Sequence, residues 1–199
     1  MNPKIEFRYS DVYDRNYRES KFIQKYLKEK NQTYPDKKEI LEYIKKVEKL
    51  WNKKSEEILK LISKVSGLKW KEKRIICYVI GVGRPFSDPL TIRTYGKDTK
   101  RFINTLTHEL IHNIFIQNTE LYKNWNKYLK IQYPNEARIT QSHILLSAIH
   151  WIILEKEGKN AIKKEIEKYN KNEDYKKAWE IIKKETPKKI INKFKKIIN

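Results

Sequence analysis

Ile5, Phe7 and Tyr9 alternate with polar neighbours, the two-residue period of a short half-buried strand, and a polar helix is predicted to follow to about Lys30. Tyr34, Pro35 and Asp36 open a long helix. Asp36 and Glu39 have the spacing of a capping pair. Apolar positions from Ile40 through Val47, Trp51, Ile58 and Ile62 to Val65 then recur at helical intervals until Gly67 stops the run. From Arg74 to Tyr95 the period changes to β-branched runs, Ile75 to Val82 and Leu90 to Thr94, separated by a loop rich in glycine and proline. A small sheet is implied.

The helical period returns from about Lys97 to Gln117, with Phe102, Leu106, Leu110 and Ile114 on the buried side. A shorter helix is predicted near Thr119 to Ile131, and a long apolar one from about Asn135 to Glu157, ended by Gly158. Two lysine-rich helices complete the chain, the second opened by Thr186 and Pro187, with Ile190, Ile191, Phe194, Ile197 and Ile198 in one stripe. Such a basic amphipathic helix can lie on a membrane, but docking on its own domain is the expected outcome. The pattern as a whole predicts a predominantly helical α+β protein.

A chain of 199 residues with five glycines and six prolines fits one globular domain, 1–199, with an N-terminal helical region over residues 1–70 and basic C-terminal helices over residues 159–199. The 45 basic residues outnumber 25 acidic ones, a net charge of +20, yet only eight of the 45 are arginine. Lysine is a strongly hydrated point charge and suits a solvated surface better than sequence reading, so only weak, non-specific nucleic-acid binding is expected. The single cysteine, Cys77, rules out an internal disulfide and a zinc site built from several thiolates. The opening residues lack an apolar signal core and the apolar run Ile144 to Leu154 is too short to span a bilayer, which predicts no membrane span and a cytoplasmic, monomeric protein.

The chemistry is concentrated in one stretch, Thr107 to His112. His108 and His112 are four apart, so on a helix they project from one face, one turn from each other, and can bind one ion through two imidazoles. Glu109 stands at the edge of that face, where it can act on water beside the ion without being a ligand. Zinc is the expected cofactor. Thr105, Leu106, Leu110, Ile111 and Asn113 are uncharged, as befits a helix behind a cleft.

All four histidines fall between residues 108 and 150. Here the chain resembles the zincin metallopeptidases over roughly residues 74–157: sheet, motif helix, spacer and a second ligand-bearing helix. The subgroup with a third histidine soon after the motif and a methionine turn does not fit, because Asn118 stands at that place and the only methionine is Met1. The resemblance implies that an edge strand, here Leu90 to Thr94, holds an extended peptide by backbone pairing. It also favours Glu136 as third ligand, since Asn135, Glu136 and Ala137 look like the glutamate helix of gluzincins, although those carry an aspartate where Thr140 stands.

Physical argument favours His143 instead, because an imidazole among aliphatic neighbours needs a partner to offset its burial. Both remain open, with His150 a minor third possibility. Glu136, His143 and His150 are spaced by seven, so one helical face would carry them together with Thr140 and Ser147. Arg138, Tyr133 and His150 are the candidates for stabilising negative charge in a transition state. The expected activity is zinc-dependent hydrolysis of a peptide or protein substrate, with Glu109 as general base and a likeness to minimal single-domain gluzincin-like peptidases. The last basic helix is a candidate plug for such a site. The alternative is a non-catalytic, metal-stabilised basic protein that binds nucleic acid or another polyanion.

Overall fold

The computed structural model describes residues 1–170 and 172–198. Its elements are β1 (Lys4–Arg8), α1 (Asp11–Arg18), α2 (Lys21–Glu29), α3 (Lys37–Asn52), α4 (Ser55–Ser66), β2 (Arg74–Ile80), β3 (Phe86–Ser87), β4 (Leu90–Arg93), α5 (Thr99–Gln117), α6 (Thr119–Gln132), α7 (Arg138–Glu155), α8 (Lys159–Tyr169), α9 (Glu173–Glu185) and α10 (Pro187–Ile198). The protein is thus α+β and predominantly helical. Its contacts group into two compact units, Met1–Glu57 with Glu72–Asn113, and Ile58–Lys71 with Ile114–Asn199.

The first unit holds one four-stranded sheet in the order β1-β2-β4-β3. β1 and β2 pair in parallel, Ile5 opposite Ile75 and Phe7 opposite Cys77; β2 pairs in parallel with β4, and β3 in antiparallel with β4. Ile75, Cys77 and Val79 alternate into the core along β2, as the two-residue period requires. This order corrects one expectation: β4 is an interior strand, not an edge. Phe86 and Ser87 pair with Thr91 and Leu90, so a two-residue strand stands where an extended substrate was expected to pair. The loop between the strands folds back as a short hairpin, which strand periodicity could not foresee.

At the end of β2 the first unit is locked by Asp14, whose side chain is wholly buried. Its carboxylate accepts hydrogen bonds from Tyr34 Oη at 2.6 Å, Arg18 Nη2 at 2.8 Å, the Gly81 backbone N–H at 3.0 Å and Tyr9 Oη at 3.3 Å. Charge-assisted bonds of this number offset the desolvation of a buried acid. Gly81 is obligatory, because a Cβ there would stand 2.3 Å from the Tyr34 ring.

Several helical boundaries differ from the sequence expectation. Residues 11–29 form two helices, with Ser20 in extended backbone between them. The expected long helix after Asp36 is divided into α3 and α4 at Lys53 and Lys54. Its apolar period passes through the break unchanged, so hydrophobic spacing gives no sign of it. The predicted capping box is present: Asp36 accepts from Glu39 N–H and Glu39 accepts from Asp36 N–H, both at 2.7 Å. Gly67, at φ +78°, ends α4 as a left-handed residue.

The second unit is helical. Among the described residues, those after Gly158 form three helices rather than the two expected, because Asn172 caps a new start by accepting from Tyr175 N–H. α10 lies against α6, α7 and α9, with Ile190, Ile191 and Phe194 buried. Its apolar stripe therefore docks on its own unit. Among the described residues, no helix is long and apolar enough to cross a membrane.

Candidate metal centre

α5 begins at Thr99, two residues later than expected, where Asp98 accepts a hydrogen bond from Arg101 N–H. From Phe102 to Phe115 it is buried on almost every side, with Asn104 and His112 the half-exposed positions. A helix so buried is normally apolar throughout. This one carries Thr105, Thr107, His108, Glu109 and Asn113 inside. Thr107 returns its hydroxyl to the Ile103 carbonyl at 2.9 Å, and Asn113 donates to the Ser87 carbonyl at 3.1 Å.

The predicted pair is realised within this helix. The His108 and His112 ring centroids are 5.2 Å apart, with the rings inclined at 70°. An ion ~2.0–2.1 Å from one nitrogen of each ring, in tetrahedral geometry, would set the centroids about 5 Å apart. The residues present therefore fit a shared ion. Glu109, adjacent to His108 in the chain, is buried.

Two groups of the first unit feel the Glu109 charge. Burial pushes the Cys77 thiol well above its ordinary range, and Glu109 adds to the rise. Burial likewise raises the Tyr95 phenol; Thr105, Arg93 and Arg101 oppose the shift, and Glu109 reinforces it. Both groups are thus held protonated near the carboxylate. Arg101 lies over the Tyr95 ring at 4.7 Å and Arg93 at 5.2 Å.

Sequence reasoning missed Tyr95. The charge-stabilising candidates it named belong to the second unit, where Tyr133 donates its hydroxyl to Glu185, Arg138 is exposed at the start of α7, and His150 is fully buried. Tyr95 stands three residues before the cap of α5, and only the fold connects that loop with Glu109.

The two candidates for a further ligand have different surroundings. α7 begins at Arg138, so Glu136 lies in the preceding turn and does not share a helical face with His143 and His150. Its carboxylate stands 3.8 Å from Lys177 Nζ. Pro134 and the extended backbone of Ala137 explain the late start.

His143 is buried in the helix proper, and its Nδ1 lies 2.8 Å from the Ile139 carbonyl oxygen. A carbonyl only accepts, so Nδ1 carries the proton and Nε2 is the acceptor nitrogen. That is the tautomer a metal-ligating histidine adopts when a backbone carbonyl orients it. Burial lowers its pKa, against the Ile139 hydrogen bond and Asp174, which favour the charged form. Thr140, expected on the same polar stripe, donates instead to the Asp174 carbonyl at 3.1 Å.

His150 has a partner that the sequence did not announce. Glu165 of α8 is buried, 3.9 Å from His150 Nδ1, and accepts from Lys168 Nζ at 3.1 Å. Burial lowers the His150 pKa, Glu165 opposes this and Lys168 adds to it. The available signal was helical spacing: Glu165 follows Ile162 by three, on the stripe that α8 buries. Comparison of the chain with protein-family models, with curated proteins and with solved structures gives no match.

Proposed function

We propose that the protein is a zinc-dependent peptide hydrolase in which His108 and His112 hold the metal and Glu109 is the general base. The observation that carries this reading is the pair of histidines one turn apart on a buried helix, at a separation suited to one ion, with a buried carboxylate beside them. A helix interior tolerates such a group of polar side chains when they have a common task. Zinc, when bound, supplies Lewis-acid polarisation of the scissile carbonyl and of the attacking water. Glu109 takes a proton from that water as its oxygen bonds to the carbonyl carbon. The same proton then passes to the departing amine nitrogen as the C–N bond breaks, which regenerates the carboxylate.

Tyr95, kept protonated by burial and by Glu109, is a hydrogen-bond donor suited to a developing oxyanion. For the third ligand, the tautomer of His143 supports it over Glu136, which already faces Lys177. The test is elemental analysis of the purified protein with peptide-library cleavage. About one zinc per chain, lost in His108→Ala and in His143→Ala but kept in Glu136→Ala, supports the assignment. Failure to take up zinc at neutral pH rejects it.

A further inference from the structure

Net charge is unevenly divided: the second unit has 23 basic and 10 acidic residues, net +13, and the first 22 and 15, net +7. Within the second unit, residues 58–71 contain Lys60, Lys64, Lys69 and Lys71 and no acid. Residues 186–198 contain five lysines and again no acid. The fold sets these two segments side by side. Lys195 Nζ donates to the Lys64 carbonyl at 3.1 Å, and the Lys195 stem covers Gly67, with Cε 3.3 Å from where a Cβ would be.

Lys195 thereby completes the end of α4, where unsatisfied carbonyls attract a cation. The other eight lysines of the two segments are exposed. On α10, Lys189, Lys193 and Lys196 fall on one face, and on α4, Lys60 and Lys64 are one turn apart. Two acids of the second unit already have cationic or hydroxyl partners. Glu120 bonds Lys123 at 2.7 Å, and Glu185 accepts from Tyr133.

We infer that the joined lysine faces of α4 and α10 form a docking surface for the phosphate backbone of a nucleic-acid duplex. Charge complementarity requires a dense polyanion. The apolar stripe of α10, which a membrane surface would need, is occupied in the core through Ile190, Ile191 and Phe194. Phe194 and Trp70, the aromatic residues of the two segments, are also buried, so neither ring is presented for stacking on unpaired bases. Lysine alone, with no arginine in either segment, gives backbone attraction without base reading.

The test uses the full chain and a short, mixed-sequence, fluorescently labelled DNA duplex, with anisotropy titrations between about 50 and 200 mM salt. The fourfold variant Lys60→Gln, Lys64→Gln, Lys189→Gln, Lys196→Gln is compared with the control Lys21→Gln, Lys25→Gln, Lys28→Gln, Lys30→Gln on α2 and its C-cap. The control removes the same charge from exposed positions of the first unit. Circular dichroism melts confirm that both fold. The expected result is a loss of at least about tenfold in affinity and a fall of about 3–4 in the salt slope for the first variant, with the control within about threefold of the parent. Equal losses in both variants, no duplex binding by the parent, or binding to phosphatidylserine vesicles but not to the duplex would each overturn the inference. Glu109→Gln should bind the duplex like the parent, which keeps this outcome separate from that of the hydrolase reading.

Discussion

Asp14 and Glu109 are both buried carboxylates of the first unit, yet their surroundings differ in kind. Asp14 is enclosed by four donors from two tyrosines, an arginine and a backbone amide. Glu109 is flanked by a thiol and a phenol that its own charge helps to keep protonated, on a helix that presents two imidazoles. A carboxylate held by four donors has its oxygens committed to structure. One set among protonated neighbours and histidines is the base of the proposed hydrolase. Burial alone therefore does not distinguish a structural acid from a reactive one; the identity of the groups around it does.

The largest expected effect separates these roles directly. Glu109→Gln should lower turnover on a peptide substrate by about 10²–10⁴-fold while zinc content and melting temperature stay near parental values, measured by kinetics, elemental analysis and calorimetry. Asp14→Ala should do the reverse, costing about 2–5 kcal/mol of stability because the Tyr34 hydroxyl and the Gly81 N–H lose a buried acceptor at about 1–3 kcal/mol each, as read from urea unfolding. If Asp14→Ala is stable and Glu109→Gln unfolds, the comparison is inverted and the hydrolase proposal loses its base. Phe194→Ala, which empties a fully buried site in the second unit, should cost a similar ~3–5 kcal/mol. Residues after Glu185 are thus expected to be required for folding, and their removal should lower activity rather than release it.

A smaller effect tests the Asp14 cage piece by piece. Tyr34→Phe removes the donor at 2.6 Å and the acceptor for the Gly81 N–H at 3.1 Å, and should cost about 1–3 kcal/mol. The mildest test is alkaline titration. Tyr9 is pushed up to about 12, by burial first and then by Asp14 and Asp11, from an ordinary value of 10.0. The unfolded chain releases this proton first, so the associated stability is complete below about pH 10 and is lost as pH rises towards 12. Tyr9→Phe should flatten the profile over that interval.

What the chain determines by itself is what lies within a few residues along it. The capping box at Asp36 and Glu39, the left-handed stop at Gly67 and the one-turn spacing of His108 and His112 each depend on local geometry, and each was legible in advance. Other features were set by packing between distant segments. These include the interior position of β4, the Asp14 cage that joins residues 9, 14, 18, 34 and 81, and the burial of Glu165 beside His150. Periodicity states which face of a helix or strand is apolar, but it does not say what will cover that face. Tyr95 illustrates the limit: it is one of 13 tyrosines, and nothing in its neighbours singles it out. Only the path of the chain from β4 into α5 brings its phenol under the influence of Glu109, because electrostatic coupling depends on distance in space rather than along the sequence.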